Sequence, residues 1–200
     1  MLNRNTYNQM KKKYGNVGSW AVWCPPADTP KSNTSNMDWI EDKALLSKLN
    51  TGFVFVGLNM SKHKNASSPK GVWANFHSAD TQKQNDYKLR YALMRTKYWG
   101  SYITDLIKNY KQVDSNKVTD YLRQNPHVEE RNVRGFVTEI KLLGNNLVLV
   151  ALGDKVYRLL NKHLKHKFTV VKVKHYSSRI GKEIYRKEVL GVLDKIAVDK

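Results

Sequence analysis

Three short polar clusters each follow an apolar run in this chain: Gly57-Leu58-Asn59-Met60-Ser61, Thr104-Asp105 and His175-Tyr176-Ser177-Ser178-Arg179. An amide, a carboxyl and an imidazole can hold a water, read a polar edge and donate to developing negative charge. The serines and the arginine add donors of the kind that fix phosphates in place without reading sequence. Each residue also has a plainer use. Asn59 could cap or turn a strand end. Asp105 could cap a helix or pair with a lysine. His175 could be one more surface histidine beside the basic run Lys162 to Lys174.

The elements that must position these groups follow from apolar periodicity. Gly18 to Trp23 reads as a first strand, closed by Pro25 and Pro26, and Met37 to Leu49 carries apolar residues at helical spacing. Phe53 to Gly57 is apolar on both faces, as a central parallel strand covered by helices should be. Asp86 to Thr96 reads as a helix and Tyr98 to Thr104 as a strand, followed by a helix over Val128 to Leu143. Leu147 to Leu152 is a second buried strand, with Gly153-Asp154 turning into a helix through Leu164. Phe168 to Val173 is a third, and Gly181 to Ile196 closes as a helix. Alternating strands and helices predict an α/β protein, a three-layer α/β/α sandwich around a central, mostly parallel sheet. In such a sheet functional groups collect at the carboxyl ends of the strands, where all three clusters fall.

Composition narrows the function classes. The chain has 200 residues and 23.2 kDa, enough for one domain over 1–200, with 1–50 an N-terminal extension and first strand and helix packed on the core. Hydrophobic residues make up 40%, which rules out global disorder. Lysine and arginine number 35 against 17 acidic residues, and the resulting +18 points to a polyanionic partner, most often nucleic acid. The lone Cys24 excludes an internal disulfide framework and any four-cysteine metal or iron–sulfur site. Zinc-deaminase spacing and a Gly-rich phosphate loop are both missing, so neither metal nor cofactor is expected. No apolar run approaches the roughly 20 residues that span a bilayer. Met1 to Tyr14 lacks the apolar segment of a secretory signal, so a soluble, cytoplasmic protein is expected.

In their order, the clusters resemble the uracil-DNA glycosylase superfamily. VGLNMS (Val56 to Ser61) is similar to that superfamily's first active-site motif, in the asparagine form of the mismatch-specific uracil/thymine glycosylases. YITDLIK (Tyr102 to Lys108) is similar to the middle motif, where an asparagine normally reads the flipped base. HYSSR (His175 to Arg179) resembles the second active-site motif, usually His-Pro-Ser, with Tyr176 in place of the proline. LVALGDKVYRLL (Leu149 to Leu160) is close to the strand, glycine and helix that precede it.

The resemblance runs over roughly Thr51 to Asp199 and implies the superfamily's fold and a base-excising enzyme acting on DNA. It implies that Asn59 holds the attacking water and His175 bonds the carbonyl oxygen of the leaving base. Ser61, Ser177 and Ser178 would bind backbone phosphates alongside Tyr176, and Arg179 falls at the wedge position, where a plain phosphate contact is equally open to it. Phe76 in GVWANFH is the expected stacking platform, with Trp73 as its competitor and core packing open to both rings, and His77 belongs either to the pocket wall or to a polar turn. A monomer without an obligate protein partner, leaving an abasic site, is the corresponding expectation.

Asp105 departs from the family pattern. A carboxylate repels a uracil carbonyl but accepts well from the exocyclic amino group of a cytosine-type base. Protonated in a buried pocket, it could also donate to the cytosine ring nitrogen. The substrate expected on this ground is a modified cytosine, hydroxymethylated or glucosylated as in some phage DNAs, with phage defence as the purpose. Ordinary cytosine would be excluded by a large pocket that demands a 5-substituent, for which the long Lys62 to Trp73 loop gives room. Asp105 could instead activate the water while Asn59 reads the base. Repair of uracil or mismatches, and a DNA-binding protein without chemistry on the same scaffold, are the other open readings.

Overall fold

The apolar runs assemble into one five-stranded sheet in the computed structural model, which describes residues 2–60, 71–78 and 85–198. The strands are β1 (Gly18–Trp20), β2 (Asn50–Asn59), β3 (Ser101–Ile107), β4 (Val148–Leu152) and β5 (Thr169–Val173), in the spatial order β1-β3-β2-β4-β5. The pairs β2–β3, β2–β4 and β4–β5 are parallel, and the three-residue β1 pairs antiparallel with β3 at the edge. From β2 the chain goes to β3 on one side, then crosses to β4 on the other. The winding therefore reverses at β2, and a crevice outside the carboxyl ends of the strands is the expected ligand site.

Side-chain alternation along the strands feeds two helical layers. Val54 and Val56 of β2, with Leu149 and Ala151 of β4, pack against α1 (Arg4–Tyr14), α4 (Ser115–Gln124), α5 (Pro126–Ile140) and α6 (Asp154–Leu164). Phe55, Ile103, Val148 and Val150 point the other way, onto α3 (Asp86–Leu93) and α7 (Lys182–Val198). In α6 the buried Val156, Leu160 and Leu164 recur every four residues, the stripe an amphipathic helix needs. The protein is an α/β sandwich with a mixed, mostly parallel sheet between helices. No helix among the described residues is long and apolar enough to cross a membrane.

Several elements differ from the sequence pattern. The helix expected over Met37–Leu49 is a 3-10 turn, Asp38–Glu41, and a single turn α2 (Leu45–Lys48). Between them Asp42 is extended, accepts the Ala44 N–H at 2.8 Å and pairs with Lys48, a local bond that replaces a helical one. The first strand stops at Trp20 instead of Trp23. Two helices carried too little apolar signal to be read: α1 buries only Tyr7 and Met10, and α4 only Val118 and Leu122. Side-chain caps start both, Asn3 accepting from Thr6 N and Asp114 from Asn116 N. The strand expected over Tyr98–Thr104 runs over Ser101–Ile107, so Asp105 lies inside β3.

One face of β3 carries a buried polar network. Glu139 of α5 is fully buried, and its Oε1 accepts from Tyr102 Oη at 2.9 Å and Thr104 Oγ1 at 2.7 Å. Its Oε2 lies 2.7 Å from Lys108 Nζ, which also donates to the Asp105 carbonyl at 2.6 Å. Removing one partner of such a pair strands the other charge in the interior. Glu139→Ala is therefore expected to cost about 3–5 kcal/mol of unfolding free energy. Urea denaturation at neutral pH measures it, and a loss below about 1 kcal/mol would show that β3 is not held through this network.

Candidate functional site

The register of β2 and β3 sets Gly57 opposite Asp105, both on the α3/α7 face of the sheet. A β-carbon on Gly57 would lie 2.2 Å from Asp105 Oδ1 and 3.3 Å from the Phe76 ring. Glycine at this position therefore makes the space that the carboxyl and the aromatic ring share. Phe76 occupies the left-handed backbone region at φ 67°, as does Trp73 at φ 65°. Bulky residues avoid that region, at a cost of about 1–3 kcal/mol each.

The surrounding bonds hold the strained turn in place. Trp73 N donates to Gly15 O at 2.6 Å, Ser19 Oγ donates to Trp73 O at 2.6 Å and Asn75 Nδ2 donates to Val17 O at 2.7 Å. The same Asn75 nitrogen lies 3.2 Å from Asp105 Oδ2 and donates to it. Asp105 is 3% exposed, and burial pushes its carboxyl up from 3.8 to about 7. The Asn75 bond and the charge of Lys108 pull it down, while Glu139 pushes it up. At neutral pH this carboxyl divides between its acid and its ionised form.

Across the cleft, His175 follows β5. The Ser177 N–H donates to its Nδ1 at 3.1 Å, with Ser177 Oγ 2.7 Å from the same nitrogen. Nδ1 is thus the acceptor, and Nε2 carries the proton. Burial pushes the imidazole down to about 4, so it is neutral near pH 7 and presents an N–H donor. Tyr176 packs on the ring at a centroid distance of 4.3 Å. Gly153, at φ 104°, ends β4 and donates to Val173 O at 2.9 Å, tying the ends of β4 and β5 together.

Asn59, at the end of β2, has Nδ2 within bonding distance of Met60 O (3.2 Å), Tyr110 O (3.1 Å) and Gln112 O (2.7 Å). Its amide nitrogen anchors the β3–α4 connection. Among the described residues Oδ1 accepts no bond, and the side chain lines the cleft.

These groups line one cleft of about 1490 Å³ at the carboxyl ends of β2 to β5. Asn59, Phe76, His77, Asp105, His175, Tyr176, Ser177 and Ser178 all contribute to it. Lysines 111, 155, 172 and 174 stand on its wall, with Lys172 paired to Asp154 at 2.6 Å and Lys174 to Glu188 at 2.9 Å.

Trp73 is corrected from platform to core: it is fully buried, donates to Tyr7 Oη at 3.0 Å and packs on Trp20 and Tyr102. Arg179 is exposed and does not contribute to the cleft lining. Ser61 and residues 62–70 of the expected roomy loop lie outside the described residues. His77 belongs to the wall, but its ring sits between Trp23 and Trp39, with Nδ1 3.2 Å from Thr34 O. Burial pushes it down to about 4.

Sequence reasoning missed Asn75 and Asp86. Asn75 sits beside Phe76 in a segment read only for its aromatics. Asp86 reads as an ordinary first-turn acid of α3 yet is 3% exposed at the cleft wall. No group of three or more metal-ligating side chains occurs among the described residues. Comparison of the chain with family models, curated proteins and solved structures returned no match.

The raised carboxyl has a thermodynamic signature. An acid whose folded pKa lies near 7 against 3.8 unfolded keeps its proton longer in the folded state. Stability from this group is complete below about pH 4 and is lost as pH rises through about 7. Against the wild type, Asp105→Asn should therefore gain on the order of 3 kcal/mol between pH 4 and pH 8. Denaturant titrations of both proteins across that range test it, and a constant difference would place the carboxyl in its ordinary range.

Proposed function

We propose that this protein is a monofunctional DNA glycosylase that extrudes a modified cytosine and hydrolyses its N-glycosidic bond, leaving an abasic site. The sheet order and the three strand-end motifs suit the uracil-DNA glycosylase-like scaffold that the sequence resembles. One observation carries the reading: a protonatable Asp105 beside Phe76, in the same cleft as a neutral His175 whose Nε2–H is a donor. The net charge of +18 supplies the long-range attraction for DNA that such chemistry requires.

In the proposed reaction the target nucleotide leaves the stack and its base lies against Phe76. The Asp105 acid donates to the ring nitrogen, and its other oxygen accepts from the exocyclic amino group while keeping the Asn75 bond. As the C1′–N bond breaks, its electron pair moves onto the base and the sugar gains oxocarbenium character. His175 Nε2–H stabilises the charge growing on the base's carbonyl oxygen. A water held through Asn59 Oδ1 adds its oxygen to C1′, and its proton leaves to the departing base or to solvent.

Base release from defined DNAs tests the proposal, scored as strand breakage at abasic sites. The panel holds uracil, mismatched thymine, cytosine, hydroxymethylcytosine and glucosylated hydroxymethylcytosine, in duplex and single-stranded form. Release of a modified cytosine is expected, falling as pH rises through about 7 because the Asp105 acid is then consumed. His175→Ala should lower the rate by about 10²–10³, and Asp105→Asn should move activity toward uracil. Release of uracil alone would keep a glycosylase and remove the substrate assignment. A second reading, a DNA-binding protein without chemistry, draws on the commitment of Asn59 Nδ2 to backbone carbonyls. Tight binding with no release from any DNA would favour it.

A further inference from the structure

Two buried polar atoms on residues of the cleft wall have no hydrogen-bond partner among the described residues. They are Asp86 Oδ1 and Ser178 Oγ, both buried, on residues that line the same cleft as Asp105 and His175. Buried polar atoms left unpaired are rare, and each calls for an explanation. The neighbouring cations do not supply one. Arg90, one turn along α3 from Asp86, donates to the carbonyls of Cys24 (3.0 Å), Ser32 (2.8 Å) and Pro30 (2.7 Å). Lys88 donates to the Ser178 carbonyl at 2.8 Å. Among the described residues Asp86 Oδ2 accepts from Ser78 N at 3.1 Å, the backbone N–H groups of Asp86 and Tyr87 at the start of α3 also favour the ionised carboxyl, and Oδ1 is left over.

Tyr176 connects this corner to the base-reading carboxyl. Burial raises its phenol well above the ordinary value, and the charges of Asp86 and Asp105 both add to the rise. One ring therefore lies within electrostatic reach of both acids. The cleft, at about 1490 Å³, is also larger than the roughly 300–1,000 Å³ that encloses a drug-sized ligand. A cytosine leaves most of it empty. On the ring, C5 adjoins C4, so a 5-substituent leaves the base beside the amino group that Asp105 reads.

We propose that the corner of the cleft at the start of α3 is a subsite for a hydroxyl-rich 5-substituent on the extruded base, with Asp86 Oδ1 as acceptor and Ser178 Oγ as its companion. Sugar hydroxyls suit this pair because each can donate to a carboxyl and accept from a serine. The inference rests on the glycosylase reading for its base and selects, within that substrate class, a hexose-bearing cytosine over a hydroxymethylated one.

The test uses free nucleosides as well as DNA, so that the subsite and the reaction are read separately. Calorimetric titration compares 5-hydroxymethyl-2′-deoxycytidine with its glucosylated form on the full-length wild type. The glucosylated nucleoside should bind at least about tenfold tighter. Asp86→Asn should remove most of that advantage, with its folding checked by circular dichroism. The wild-type comparison depends on no variant: equal binding of the two nucleosides overturns the subsite, as does an advantage that survives in a folded Asp86→Asn. If the preference is present but no DNA releases a base, the subsite stands and the glycosylase reading fails. If hydroxymethylcytosine and glucosylated DNA are cleaved alike and the nucleosides bind alike, the reaction stands and the subsite fails.

Discussion

The site depends on a single lysine standing between two buried carboxyls on opposite faces of β3. Thr104 and Asp105 are neighbours in the strand, so their side chains project to opposite layers. Lys108 Nζ reaches the far layer, where it pairs with Glu139 at 2.7 Å, and touches Asp105 only through the backbone carbonyl. Glu139 is thereby compensated by a cation and two hydroxyls, whereas Asp105 receives one neutral amide. The same fold that pairs one carboxyl leaves the other close to its neutral form. A buried acid in that condition can serve as donor or acceptor at physiological pH, which an ordinary surface aspartate cannot.

Keeping such an acid in the core demands rigidity around it, and the segment 71–78 provides that at a cost in backbone strain. Trp73 and Phe76 both sit in the left-handed region, yet the turn is tied to the α1–β1 connection by Gly15 and Val17 and to β1 by Ser19. Trp73 locks the turn from below by packing with Trp20 and Tyr102 and bonding Tyr7. Phe76 is left facing the cleft, with no room for a side chain at position 57. One aromatic is spent on anchoring so that the other can be displayed. Strain of this kind persists where surrounding packing over-determines it, and it concentrates at functional sites.

How much of this was legible in the sequence depended on which signal carried it. The central strands were read from continuous apolar runs, and α5, α6 and α7 from helical spacing, because burial on a packed face leaves a periodic record. Helices α1 and α4 left almost none, since each buries two residues and is otherwise solvated. The break at Asp42 is a side-chain bond to a neighbouring amide, which competes with a helix without altering the apolar pattern. Trp73 and Phe76 could not be separated by residue type, because an anchoring aromatic and a displayed one differ only in what the fold puts beneath them. Asn75 and Asp86 act through partners outside their own elements, Asp105 at 3.2 Å and the Ser78 amide at 3.1 Å, which periodic spacing does not encode.

The two acids of the cleft bear differently on selectivity. In the proposed reaction the Asn75 bond keeps Asp105 Oδ2 an acceptor. In the cytosine pose a uracil would set its carbonyl against that acceptor and its N–H against the acid's donor, but Asp105 offers no reason to spare ordinary cytosine. That discrimination has to come from a group that an unsubstituted base leaves unsatisfied. Burial pushes Asp86 up to about 6, so near neutral pH it is largely ionised, and its Oδ1 has no donor among the described residues. A base with no hydroxyls offers that carboxylate no donor, and sites built to bond a hydroxyl discriminate strongly against analogues that lack one. An apolar pocket of equal size would reject the smaller base only weakly, because a missing group there forfeits packing alone. On this argument the unpaired acceptor is what makes the cleft selective, and the stability lost by burying it is the condition for that selectivity.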